Sequence, residues 1–318
     1  MSVSSKSYLK VQYDLRPAKQ VERRMLIDAF QLLSSAGFKI HDYQYTGFGS
    51  VHFVDFILFH KFLGIQKMLS IEHDQDIKKR IQFNRPYKTI NIKITSASEA
   101  IPKLAKNISH ILWLDYDQIV NHDMLSDIAL AAVTLREGSI ILITMDANPP
   151  GKEADTNYGP KMWKDYYFSF AEQYLGKYSN ARDFVVRNLV KINTEIFNNV
   201  MRNSLMSRSG VEFVPFFNFS YADGHRMVTC GGMICSPENK DALENCSLKE
   251  RSYARFDLTK PAFEIQVPKI TRKERLYLDS NMPCSKDWQP KIFELCKEDI
   301  LAYREIYRYF PAYAEMML

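Results

Sequence analysis

Two glycines flank a phenylalanine in Gly47-Phe48-Gly49-Ser50, in a chain that has only 12 glycines among 318 residues. The quartet closes one apolar run, "KIHDYQYTG", and precedes a helical pattern, "VHFVDFILFHKFLG". Where no Cβ intervenes, backbone N–H groups can come close to a ligand. The helix that follows aims the positive end of its dipole into the same crevice. The next apolar run, "KMLSIE", stops at Glu72, where a carboxylate can accept from the two hydroxyls of a ribose. A glycine turn and an acid in this register suit an adenosine-containing ligand. The dinucleotide fingerprint G-x-G-x-x-G asks for a third glycine where His52 stands, so a pyrophosphate is poorly served and a nucleoside without phosphates is not. On this reading a valine at position 49 occupies the ligand's space and leaves the fold largely intact.

A second acidic site lies further on, in "HILWLDYD". By the two-residue period of a strand, Asp115 and Asp117 point to one side and Tyr116 to the other. At the carboxyl end of a sheet Asp115 can orient or deprotonate a hydroxyl or amine; the plainer role is a carboxylate that caps a helix or closes a loop.

These residues need elements to hold them. "RPAKQVERRMLIDAFQLLSSAG" reads as a helix, with Pro17 tolerated in its first turn and Gly37 ending it. The runs "KIHDYQYTG", "KMLSIE", "TINIKIT", "HILWLDYD" and "SIILITMD" then alternate with helical patterns. Such alternation implies right-handed crossovers and a largely parallel, doubly wound α/β sheet covered on both faces. It breaks after Gly151, where two helical stretches follow within 158–207 with no strand between them. Two apolar stretches around Asp223-Gly224 then predict a β-hairpin. A mixed segment and a helix over 288–309 finish the chain, and no internal repeat is evident.

Composition bounds the partners. A net charge of +5 is mild, and the basic clusters at Lys78-Lys79-Arg80 and 269–275 contain or adjoin acids. A solvated helix face is the preferred reading over a nucleic-acid surface. Five cysteines without a CxxC pair argue against zinc and a disulfide framework. With no apolar leader and no run of about eighteen apolar residues, a cytoplasmic protein is expected. No HExxH or GxSxG motif is present, and no metal site is expected. Tyr13, Arg16 and Lys19 in "YDLRPAK" are either a lid over the site or part of a helix packed on the sheet edge.

The order of these elements resembles the class I S-adenosylmethionine-dependent methyltransferases over roughly residues 38–236. "YTGFGS" looks like their first motif, "MLSIEHD" like the ribose-binding second strand, "IKITSASEAIPKL" like the segment that flanks adenine, and "ILWLDYD" like the fourth-strand motif beside the methyl group. The resemblance implies a mostly parallel, seven-stranded sheet ending in an antiparallel hairpin, with residues 158–207 as a helical insertion over the acceptor pocket. Residues 1–37 would then be an N-terminal arm and helix, and 237–318 a C-terminal extension. It implies S-adenosylmethionine as cofactor, with Gly47, Phe48, Gly49 and Ser50 on the methionine side, Glu72 on the ribose and Ser96 at the adenine. Asp115, Tyr116 and Asp117 would face an oxygen or nitrogen acceptor whose identity the sequence does not give. Two positions depart from the family's pattern: Tyr45 and Ser96 stand where acids are usual. Those departures keep a non-catalytic nucleotide-binding or assembly module open beside the enzyme, and an NAD-dependent oxidoreductase is a further alternative. A weaker similarity to catechol-type O-methyltransferases would place Asp115, Asp146 and Asn148 on magnesium, except that Ala147 separates an acid and an amide that are adjacent in that family. Asn148-Pro149-Pro150 reads as a loop, because Gly151 gives no aromatic platform for a flipped base.

Overall fold

The strand β4, His110–Ile119, shows how the sequence builds two layers. Ile111 and Trp113 enter one hydrophobic core, while Leu112 and Leu114 enter another on the opposite face. Buried on both faces, such a strand reads as a continuous apolar run rather than as an alternation. The computed structural model describes residues 16–311. Tyr13 and the expected N-terminal arm lie outside the described residues.

Five parallel strands form one side of the sheet: β1 (Gln44–Phe48), β2 (Lys67–Glu72), β3 (Ile90–Ile94), β4 and β5 (Ile140–Asp146). The hairpin predicted around Asp223-Gly224 is present as β6 (Glu212–Ala222) and β7 (Arg226–Cys235), with β7 antiparallel to β5. The order across the sheet is β3-β2-β1-β4-β5-β7-β6-β8, a doubly wound methyltransferase-like sheet with one strand more than expected. The addition, β8 (Phe263–Ile265), pairs parallel with β6 at the edge. Three residues between Pro261 and Pro268 give too short an apolar run to signal a strand.

Helices cover both faces. α1 (Pro17–Ser35) and α2 (Val54–Leu63) pack on the Trp113 face. α5 (His122–Thr134), α6 (Pro160–Ala171) and α7 (Val186–Leu205) pack on the Leu114 face. The last two are the helices expected in 158–207, and Leu189, Ile192, Ile196 and Val200 of α7 form its buried stripe. The two short helices α3 (Lys78–Asn84) and α4 (Ala97–Ala100) flank β3. The C-terminal segment carries α8 (Pro237–Glu244), α9 (Arg272–Ser280) and α10 (Lys297–Ile306). The helix expected over 288–309 is shorter: Pro290 disfavours helix at Gln289, and α10 starts only after Cys296, whose Sγ accepts from Asp299 N as the N-cap.

One carboxylate joins the two ends of the described chain. Asp28 on α1 accepts from Arg251 Nε at 2.8 Å, Tyr253 OH at 2.7 Å and Tyr309 OH at 2.9 Å. Burial alone would lift its pKa, but these donors outweigh it and hold the group below its ordinary value. A depressed carboxylate stabilises the fold fully above its unfolded pKa, about 3.9, and loses that contribution as pH falls through the folded value. Asp28→Asn should therefore flatten the acid limb of a stability-against-pH curve measured by urea unfolding; an unchanged limb would show that the acid sensitivity arises elsewhere.

Candidate functional site

In the sheet order β2 and β4 lie on opposite sides of β1, so the chain reverses direction of travel between β1 and β4. Open α/β sheets bind ligands at such a switch point, outside the carboxyl ends of the strands. Gly49 and Ser50 lie at that end of β1, Glu72 ends β2, Ser96 follows β3 and Asp115 lies near the end of β4. With neighbouring strands about 4.8 Å apart, the strands that carry Glu72 and Asp115 are about 10 Å apart across β1.

The turn after β1 bends differently from the sequence expectation. The positive φ angles belong to Ser50 at 46° and Phe53 at 51°, a left-handed conformation that few residues other than glycine adopt. The glycines are needed for close packing instead. A Cβ on Gly47 would lie 2.7 Å from the Tyr45 hydroxyl, and one on Gly49 would lie 2.2 Å from Ser70 Oγ and 2.9 Å from the Phe53 ring. The space beside Gly49 is thus filled by the protein itself, which corrects the expectation that a valine there would leave the fold intact. Tyr45, in place of the usual acid, is a core residue packed edge-on against Phe56 and Phe59.

Glu72 is at the rim, its side chain 13 % exposed. Its Oε1 accepts from Asp74 N at 3.0 Å, while no described residue bonds Oε2. Ser96 is exposed, and its hydroxyl accepts from Glu99 N at 3.2 Å as the N-cap of α4. Phe48 is half-buried against the Tyr116 ring.

At the end of β4 Tyr116 and Asp115 face opposite layers, as the strand period requires. Asp117 is exposed. Tyr116 turns toward the α5 layer and donates to Asp127 Oδ2 at 2.5 Å; burial, then Asp127, holds its phenol far above the ordinary value. Asp115 faces the α1 layer and meets the lysine that sequence reasoning left as a lid or an edge contact. Lys19 is wholly buried, with Nζ 2.8 Å from Asp115 Oδ1, 2.9 Å from Glu22 Oε2, 3.1 Å from Tyr221 OH and 4.3 Å from the centre of the Trp113 ring. One turn further along α1, Arg23 pairs with Asp55 of α2.

What aims Lys19 is a carboxylate more than 200 residues away in the chain. Asp223, in the β6–β7 turn, accepts from the backbone N–H groups of Ala18 at 3.2 Å and Lys19 at 3.0 Å. It caps the start of α1, where a negative charge is favoured. No local motif signals this cap, because the acid and the helix it caps are remote in sequence.

The cluster decides protonation. Burial works against the charge on Lys19, but Asp115 and then Glu22 outweigh it and keep the amine charged. Burial likewise disfavours charge on Asp115, yet Lys19 holds its pKa below the ordinary range. For Glu22 burial prevails over Lys19, and its pKa is raised. Asp115 is thus the ionised partner that reaches solvent, with 20 % of its side chain exposed and Oδ2 unbonded among the described residues. Glu22 is sealed at 0 %.

The magnesium set does not assemble. Asp115 is paired with Lys19, whereas Asp146 Oδ1 accepts from the backbone and side-chain nitrogens of Asn148 at 2.7 and 2.6 Å. No group of three His, Cys, Asp or Glu residues suited to a metal occurs among the described residues.

With this geometry in hand, comparison decides the family. A sequence profile described as "Putative O-methyltransferase" matches residues 11–318. The chain belongs to this family. No curated protein matches it. Among solved structures, this methyltransferase is similar to Trm1 from Pyrococcus horikoshii bound to S-adenosyl-L-methionine, at 10 % identity and TM-score 0.43, covering 71 % of this chain and 57 % of that one. It is also similar to the Methanococcus jannaschii fibrillarin pre-rRNA processing protein, at 12 % identity and TM-score 0.37, covering 63 % of this chain and 69 % of that one. Among the described residues of the methyltransferase, no helix is long and apolar enough to cross a membrane.

Two substitutions test the packing of this end of the sheet. Removing one partner of a buried ion pair costs about 3–5 kcal/mol, so Lys19→Met should lower the unfolding free energy by that order, and Lys19→Met with Asp115→Asn by less than the two singles together. Strict additivity in urea unfolding would mean the two groups are energetically independent. Gly49→Val should lower the melting temperature even without ligand, and a wild-type melting curve would show that Ser70 and Phe53 give way easily.

Proposed function

We propose that the protein transfers a methyl group from S-adenosylmethionine to an oxygen or nitrogen acceptor at the carboxyl ends of β1, β2 and β4. The observation that carries this reading is the meeting of the Gly49–Phe53 turn, the Glu72 carboxylate and the Asp115 carboxylate at the switch point of the sheet. Membership of a methyltransferase family supports it and sets aside the nicotinamide alternative. The family's description favours oxygen as the acceptor atom.

The residues present fit the cofactor. Glu72 Oε2, without a partner among the described residues, would accept from a ribose hydroxyl. Gly47, Phe48, Gly49 and Ser50 would lie along the methionine portion, and Ser96 at the adenine end. Bound there, S-adenosylmethionine would supply an electrophilic methyl group on a sulfonium. The protein's part is mainly to align the acceptor for in-line displacement. Asp115 Oδ2 would accept the acceptor's O–H or N–H and orient its lone pair. Because Lys19 holds Asp115 ionised, this carboxylate stays an acceptor at neutral pH but is a weak base. Tyr116 would support Phe48 from behind and Asp117 would lie at the acceptor entrance. Free cysteines, three of them buried, suit the reducing cytoplasm.

Calorimetry with S-adenosylhomocysteine and with NAD tests the cofactor. Hydrogen bonds to a charged group contribute about 1.5–3 kcal/mol, so Glu72→Ala should weaken S-adenosylhomocysteine binding by about 10- to 100-fold. Asp115→Asn should leave that affinity near wild type and abolish methylation once an acceptor is found. Heat from NAD alone, or no heat from either ligand, would overturn the proposal.

A further inference from the structure

At the other end of the sheet, where β2 and β3 begin, a groove of about 480 Å³ opens on the face that α4 is too short to cover. Lys67, Lys88, Lys93 and Lys103 line it, together with Gln66 and Asn91, and no carboxylate does. All four lysines are exposed. None forms an ion pair among the described residues, and Lys67 only donates weakly to the Asp42 carbonyl at 3.4 Å. Thr89 also lines the groove, and its buried hydroxyl has no partner among the described residues. Five residues before Lys88, near the end of α3, Phe83 presents a ring that is 89 % exposed.

We propose that this groove docks the phosphodiester backbone of a single-stranded nucleic acid. Four cations with no ion pair among the described residues, on one concave surface, attract an anion, and their extent selects which kind. Met68 is level with Ile90 and Ile71 with Lys93, so Lys67 and Lys93 are four residues apart along the strands, about 13 Å. One phosphate cannot bridge that length, and a chain of linked phosphates can. The Phe83 ring offers a base a stacking surface of the kind that single-strand binders use. This surface differs from the helix face of Lys78 and Lys79 that the sequence brought forward. It lies on the α4 face of β2 and β3, whereas Asp115 faces α1, and it does not depend on the methyl-transfer reading.

The test is fluorescence anisotropy of the full chain with a labelled twelve-nucleotide oligouridylate, without any cofactor. Each neutralised phosphate contributes about 0.7 to the salt slope for single strands. Four contacts therefore predict about a fifty-fold loss of affinity between 50 and 200 mM salt. Lys88→Gln with Lys93→Gln should halve the slope, whereas Lys78→Gln with Lys79→Gln, a matched loss of charge outside the groove, should leave it unchanged. Phe83→Ser should weaken binding at fixed slope. Equal losses from both lysine pairs, an unchanged slope in the groove variant, or binding of pyrophosphate in the groove with none of the oligonucleotide would each overturn the proposal.

Discussion

The buried pair of Lys19 and Asp115 is the constraint on which the arrangement of this protein depends. Taking an ammonium and a carboxylate out of water is costly, and their attraction compensates only when further hydrogen bonds satisfy both groups. Here Glu22, Tyr221 and Thr144 surround the amine, and Asp223 fixes the backbone that carries it. The pair therefore ties three parts of the chain at once: the first helix, the central strand β4 and the turn of the terminal hairpin. An apolar contact could hold α1 against the sheet, but it would not hold Asp115 ionised at the place where the strand order reverses.

That division of charge gives the site its character. Two carboxylates share one lysine, and the environment treats them differently. Asp115 reaches the surface and stays ionised beside the amine, while Glu22 is enclosed and takes up a proton more readily. Pairs of titratable groups whose surroundings drive them apart are a mark of functional sites as well as of structural ion-pair networks. Here the structural description holds, since α1 lies on the sheet through the groups that set the charge of Asp115, and the proposed acceptor role of Asp115 would add the functional one.

The sequence disclosed what depends on local period. Five apolar runs alternating with helical patterns gave the central strands, and Asp223-Gly224 gave the hairpin, because burial and turn chemistry are written residue by residue. Long-range and exceptional features were hidden. Lys19 stands in "RPAKQ", a stretch with no sign that it enters the sheet; only its partners, nearly 100 to over 200 residues away, send it there. The glycines of the β1 turn suggested a bent backbone, yet the bend falls on Ser50 and Phe53, residue types that do not announce a positive φ. The eighth strand was invisible because three residues carry no period. The placement of Glu72 and Asp115 toward the carboxyl ends of their strands was legible because each closes an apolar run, and their partners were not.

The hold on Asp28 has a consequence for how the molecule can be divided. Arg251, Tyr253 and Tyr309 come from the last quarter of the sequence, and all three seize a carboxylate on the helix that also bears Lys19. A protease that clipped the polypeptide between Tyr253 and Tyr309 would free one of those fingers while the other two kept their grip. Severing it ahead of Arg251 would free all three from the helix that places the Lys19 amine beside Asp115 about two and a half turns away. The tail is thus a clasp for the front of the protein, closed on the same helix that carries Lys19.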